Sequence, residues 1–145
     1  MKKLAVDKRL FASRLHEFYA KFKTYTEEQE LQVKVADYLD DLEKKDLIIN
    51  WWHTPNGAYY GKGWLARKYG LLMRLLGVKK GIPDIQIIAH REFVFIELKT
   101  PKGRVSTEQN DFLECLKRQT TIHWIHGFCT SVDEVEKTLI EGAVI

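Results

Sequence analysis

Apolar residues recur along this chain with two periods. Between residues 4 and 22, Leu4, Leu10, Phe11, Leu15, Phe18, Tyr19 and Phe22 fall at roughly helical spacing, which predicts one amphipathic helix or two. Its apolar stripe is core or a subunit contact. A second helix opens at Thr26. Thr26-Glu27-Glu28-Gln29 has the form of a capping box, in which the cap hydroxyl and the third helical side chain satisfy free amides of the first turn. Leu31, Val35, Tyr38, Leu39 and Leu42 give this helix one buried face, and it ends near Lys45.

The pattern then changes. Leu47 to His53 is β-branched and aromatic and reads as a strand. Thr54-Pro55-Asn56-Gly57 is turn chemistry, and a glycine-bearing loop runs on to Gly63. Trp64 to Leu76 reads as a helix stopped at Gly77. Asp84 to Ala89 and Phe93 to Lys99 are two strands whose short link predicts an antiparallel hairpin. Pro101-Lys102-Gly103 ends the second strand, and Ser106-Thr107-Glu108-Gln109 is another capping box, opening a helix to about Gln119. Thr121 to Ile125 is expected to be a strand, and Ser131 to cap a last helix through Ile140. The order predicts an α/β architecture, a mixed central β-sheet flanked by helices, plus an N-terminal helical extension over residues 1–25.

With 145 residues, 45% of them hydrophobic, one ordinary core is available, and no apolar run is long enough to cross a bilayer. Met1 to Val6 starts like a secretion signal, but Asp7, Lys8 and Arg9 break it, so the segment is expected to be mature chain. Cys115 and Cys129 have no metal-ligand spacing and are expected to be reduced thiols of a cytosolic protein.

Net charge is only +3, yet the charges are segregated. Residues 26–46 hold eight Asp or Glu against three Lys, whereas residues 47–83 hold no acid at all. That acid-free stretch carries Lys62, Arg67, Lys68, Arg74, Lys79 and Lys80 among Trp51, Trp52, Tyr59, Tyr60, Trp64 and Tyr69. Any one of these suits a solvated helix face or a core. The whole stretch points to a polyanion whose backbone meets the cations and whose bases meet the rings.

Candidate chemistry lies on the hairpin. Strand side chains alternate, so Glu97 and Lys99 share a face while Leu98 points away. If His90 and Arg91 alone form the turn, Asp84 falls opposite Glu97 on that same face; a turn longer by one residue would spoil the pairing. Two adjacent carboxylates in an apolar sheet repel and cost desolvation unless a cation lies between them. Oxygen ligands without Cys or His suit Mg²⁺ or Mn²⁺, and the main-chain carbonyl of Leu98 is a third candidate ligand. Such an ion can polarise a phosphodiester, with Lys99 orienting water or meeting developing charge. Spacing alone leaves open a plain surface pair, Glu97 with Lys99, and Asp84 as a turn residue after Pro83.

Gly77-Val78-Lys79-Lys80-Gly81-Ile82-Pro83-Asp84, followed by Phe95-Ile96-Glu97-Leu98-Lys99-Thr100-Pro101-Lys102-Gly103-Arg104-Val105-Ser106-Thr107-Glu108-Gln109, resembles the PD-(D/E)xK nuclease superfamily. More narrowly, it resembles the virus-type replication-repair nuclease (VRR-NUC) family. The short PD…ExK motif is weakly specific by itself; the string running on to Gln109 is specific. Upstream, Glu28 to Gln32 and His53 to Gly57 extend the resemblance, which covers about residues 26–140.

The resemblance implies a restriction-endonuclease-like core over residues 26–145. It implies Asp84 and Glu97 as metal ligands with the Leu98 carbonyl, Lys99 as the catalytic lysine, and Glu28 and Gln109 as further site residues. Glu28 equally suits the helix dipole, with Glu27 and Glu30 beside it as candidates, and Gln109 equally suits the capping box. His53, Asn56, Lys62, Arg67, Lys68, Lys79, Lys80, Lys102 and Arg104 are candidate DNA contacts, whereas His123 and His126 read as structural. The expected activity is that of an endodeoxyribonuclease using Mg²⁺ or Mn²⁺, acting on branched or Holliday-junction DNA. The expected form is a phage-like intracellular homodimer, without membrane or organic cofactor. A flap, nicking or defence nuclease is the alternative within that chemistry. A DNA-binding or assembly module that does not cleave is the alternative outside it.

Overall fold

The computed structural model describes residues 26–54 and 63–145. The expected N-terminal helical extension, the turn residues Pro55 to Gly57 with Asn56, the loop aromatics Tyr59 and Tyr60, and Lys62 lie outside the described residues. The element order is α1 (Glu27–Lys44), β1 (Asn50–His53), α2 (Trp64–Leu75), β2 (Ile85–Ile88), β3 (Phe93–Leu98), α3 (Thr107–Lys117), β4 (Trp124–Cys129) and α4 (Val132–Glu141). The strands form one sheet in the order β1-β2-β3-β4. β1 and β2 are antiparallel, as are β2 and β3, and β4 runs parallel to β3 after the α3 crossover. The sheet is therefore mixed and carries helices, as expected.

Local chemistry sets the boundaries. Thr26 caps α1 in a full capping box, its hydroxyl accepting from the Gln29 amide at 3.2 Å while Gln29 Oε1 accepts from the Thr26 amide at 2.9 Å. The other end closes in a Schellman pattern. Asp46 N donates to Glu43 O at 3.0 Å and Leu47 N to Leu42 O at 3.0 Å, with Asp46 in the left-handed region at φ 56°. α2 ends in the same way around Gly77, at φ 93°.

Two expected strand limits are corrected. β1 starts at Asn50 rather than Leu47, because the turn that ends α1 occupies the preceding residues. Ile48 buries there, and Ile49 N already donates to Ile88 O at 2.9 Å. β4 spans Trp124–Cys129 rather than Thr121 to Ile125. Gly127 is a site of close approach inside the strand, not a stop: a Cβ there would meet Thr138 Oγ1 of α4 at 2.8 Å.

One sheet face makes the core. Ile85, Ile87, Val94, Ile96 and Leu98 pack there against Val35, Tyr38, Leu39 and Leu42 of α1 and against Val135 and Leu139 of α4. α3 lies over the other face, where Phe112 meets Phe95 edge-on at 5.3 Å between ring centroids. α2 contributes no buried side chain among those described and leaves Leu71, Leu75 and Leu76 exposed. Among the described residues no helix is long and apolar enough to cross a membrane. Cys115, exposed, and Cys129, buried, are both free thiols.

Candidate active site

The hairpin turn is two residues long. Ala89 N donates to Glu92 O at 2.9 Å, leaving His90 and Arg91 as the loop, and Ile85 pairs with Ile96 and Ile88 with Phe93. Continuing that register one residue past β2 sets Asp84 opposite Glu97. Leu98 N donates to Asp84 Oδ2 at 2.9 Å, which pins the aspartate to the end of β3. A strand residue's N–H and C=O point to the same side, so the Leu98 carbonyl is turned toward Asp84 as well.

Among the described residues the buried polar side chains are Asp84, Gln86 and Glu97, at 8%, 6% and 2% exposure, and all three lie on the face away from the core. Each has a reason. Gln86 accepts from Thr54 Oγ1 and donates through Nε2 to the Pro83 carbonyl, while Thr54 N donates to Asp84 O at 2.8 Å. These bonds hold the backbone on both sides of the Pro83–Asp84 bond. Thr54 and Gln86 were not among the sequence candidates. The signal for Gln86 was one polar residue in the strand Ile85-Gln86-Ile87-Ile88, which costs free energy unless it is hydrogen-bonded.

Glu97 is the most enclosed group. Its Oε1 accepts from Lys99 Nζ at 2.7 Å and from Gln109 Nε2. Its Oε2 is buried and makes no hydrogen bond among the described residues. Burial is the largest influence on this carboxyl and raises its pKa; the hydrogen bond and charge of Lys99 pull it back, and Asp84 pushes it up again. The net direction is upward, as for a carboxylate lacking a full complement of donors.

Lys99 is held from behind by the turn after β3. Gly103 N donates to Thr100 O at 2.8 Å, and a Cβ on Gly103 would come within 3.1 Å of Lys99 Cδ. Gln109 does two things at once. Its Oε1 accepts from Ser106 N at 2.8 Å, closing the capping box of α3, and its Nε2 reaches Glu97. Cap and site contact, alternatives in the sequence, are both present. Gly81 makes this approach possible: at φ 78° it sits where a Cβ would lie 2.3 Å from the Glu108 carbonyl oxygen. The segment leading to Asp84 is thus seated on the first turn of α3.

The donor set fits a hard cation. Among the described residues no three His, Cys, Asp or Glu side chains converge. An ion here would be held by two carboxylates and complete its shell with main-chain oxygen and water, the usual arrangement for Mg²⁺. The unpartnered Glu97 Oε2 is a buried acceptor with a lone pair for such an ion.

The sequence model of the VRR-NUC domain matches residues 26–132, from the cap of α1 to the first residue of α4. The chain belongs to the VRR-NUC family. VRR-NUC domains are PD-(D/E)xK-like nucleases, so this one is a nuclease domain. No curated protein and no solved structure matches the chain.

Within this VRR-NUC domain the remaining candidates are spread out. Glu28 stands exposed in the first turn of α1. His53 ends β1 opposite Ile85, so alternation sets it on the α1 face, away from Asp84 and Glu97. Arg67, Lys68, Lys79, Lys80, Lys102 and Arg104 are all exposed, and Lys68 Nζ stands 5.3 Å from the centroid of the Trp64 ring. Asn56 and Lys62 lie outside the described residues. His126 is half-buried with a pKa lowered to about 4 by burial, a neutral packing group at ordinary pH.

Proposed function

We propose that this chain is an endodeoxyribonuclease dependent on Mg²⁺ or Mn²⁺ that acts on branched DNA, four-way junctions foremost, as a homodimer. The observation that carries the metal-dependent reading is the buried Glu97 carboxylate, one oxygen unpartnered, opposite a second carboxylate on Asp84. Asp84, Glu97 and the Leu98 carbonyl would hold the ion, which when bound neutralises phosphate charge and lowers the pKa of coordinated water. Lys99 keeps its ammonium at Glu97, where it orients the attacking water and meets the negative charge that develops on the phosphoryl oxygens. Gln109 holds Glu97 in place through its amide. Glu28 supplies a further acid from α1.

In the reaction, water oxygen bonds to phosphorus and gives up a proton to solvent, the bond to one strand oxygen breaks, and that oxygen leaves with a proton from solvent. The exposed cations Lys79, Lys80, Lys102 and Arg104, with Arg67 and Lys68 on α2, suit the phosphate backbone. The described residues of one chain carry one such site, so symmetric cutting of two strands requires two copies about a two-fold axis. Side-by-side cleavage of four-way junctions, flaps and plain duplex with Mn²⁺ tests the substrate. Junctions are expected to be cut fastest, and cutting of flaps with junctions ignored would replace the junction reading by the flap one. DNA bound but never cut with either metal would turn the chain into a binding module.

A further inference from the structure

We propose that Phe128 is a stacking platform for a nucleobase beside the phosphate that is cut. This rests on the nuclease reading above. Among the described residues β4 is an edge strand, and its register sets Trp124, His126 and Phe128 beside Phe93, Phe95 and Glu97 on the face that carries the carboxylates. Two rings of that face are accounted for by packing. Phe95 is covered by Phe112, and His126 is half-buried.

Phe93 is 43% exposed too, but it lies at the other end of β3, four residues from Glu97; Phe128 is set apart by its place. It is 40% exposed, although it is the direct cross-strand neighbour of Glu97, a residue only 2% exposed. Neighbouring strands lie about 4.8 Å apart, so an open aromatic ring stands one strand away from the carboxylate pair. A single exposed apolar residue needs no explanation in general. This one borders the place where a phosphodiester would be held, and the nearest flat apolar partners there are the bases of that same strand. His126 packs edge-on against it, with ring centroids 4.6 Å apart and planes at 74°. That contact restrains the ring before any base arrives, so less side-chain freedom is lost on binding. Stacking on one ring tolerates any base, so the platform adds affinity and positioning without sequence preference.

The test uses the full chain and DNA of any geometry that it cuts. Phe128→Leu keeps apolar volume and removes the π surface; Phe128→Trp and Phe128→Tyr keep the surface. Unchanged melting midpoints identify the variants that fold as the parent does. With Mn²⁺, Phe128→Leu is expected to raise KM roughly tenfold with a much smaller change in kcat, and Trp or Tyr to restore it. In a Glu97→Gln background, 2-aminopurine next to the cut position is expected to be quenched on binding, and Phe128→Leu to abolish the quench. Equal KM and equal quenching in Phe128→Leu would overturn the platform while leaving the nuclease reading intact. A wild-type chain that neither binds nor cuts DNA would overturn both.

Discussion

The β2–β3 hairpin divides its alternate residues between two faces with opposite purposes. Toward α1 and α4 the hairpin turns Ile85, Ile87, Val94, Ile96 and Leu98, each at most 1% exposed. Toward α3 it turns Gln86 and Glu97, with Asp84 one residue before β2 and Lys99 one residue beyond β3. The first face is dry and stabilises the fold by burial, on the order of 2 kcal/mol for each large aliphatic side chain. The second buries polar and charged groups whose hydrogen bonds only partly offset their desolvation. Alternation along a strand therefore lets folding and chemistry be altered separately, one residue apart.

That separation can be broken or sharpened by substitution. The largest effect is expected at Glu97. Glu97→Ala, or Lys99→Ala, should lower cleavage roughly a thousandfold or more, while DNA binding persists in a gel-shift measurement. Next comes the opposite face. Ile96→Ala should cost about 2–5 kcal/mol in urea unfolding, with kcat nearly unchanged in whatever remains folded. Retained stability there would mean that the core is not where the packing puts it.

Gly81→Ala couples the two faces. Its Cβ has no room at the Glu108 carbonyl, so α3 must shift, and we expect about 1–3 kcal/mol of destabilisation together with lost activity. Glu97→Gln sharpens the contrast. Without metal it should stabilise the protein by about 1 kcal/mol, since a strained buried charge is removed. Mg²⁺ at a hundred times its Kd should raise wild-type stability by about 2.7 kcal/mol and leave the variant unmoved. A variant that responds to Mg²⁺ as the wild type does would remove Glu97 from the ion's shell.

The last effect concerns pH. Burial lowers the pKa of His126 from 6.5 to about 4. The stability of its neutral form is therefore present above pH 6.5 and is lost as pH falls through about 4. His126→Phe should flatten the melting temperature over that window; an unchanged slope would assign the acid sensitivity elsewhere.

Much of this was readable from sequence where one short-range rule sufficed. The capping boxes at Thr26 and Ser106 appear as expected, because each needs only its own four residues. The opposition of Asp84 and Glu97 followed from a two-residue turn, since a hairpin's register depends on its loop alone. What stayed hidden depended on distant partners. The extent of β4 past Ile125 depended on α4, since Gly127 leaves the room that Thr138 fills. The role of Gln86 required Thr54, thirty-two residues away. The helix from Trp64 to Leu76 and its stop at Gly77 were expected, but not that Leu71, Leu75 and Leu76 would stand outside the core. His53 was expected as a DNA contact, but the face it occupies needed the β1–β2 register.

Gln109 ties helix formation to the state of the site. α3 has no buried residue; Phe112 meets Phe95 and Gln109 meets Glu97 on β3. An element without buried residues has few apolar contacts to hold it against local opening. When its first turn frays, the same amide that leaves Ser106 also leaves Glu97. Amide exchange in the first turn of α3 then reports the fraction of molecules with an assembled centre, and anything that protects that turn raises the competent population without touching the reacting atoms.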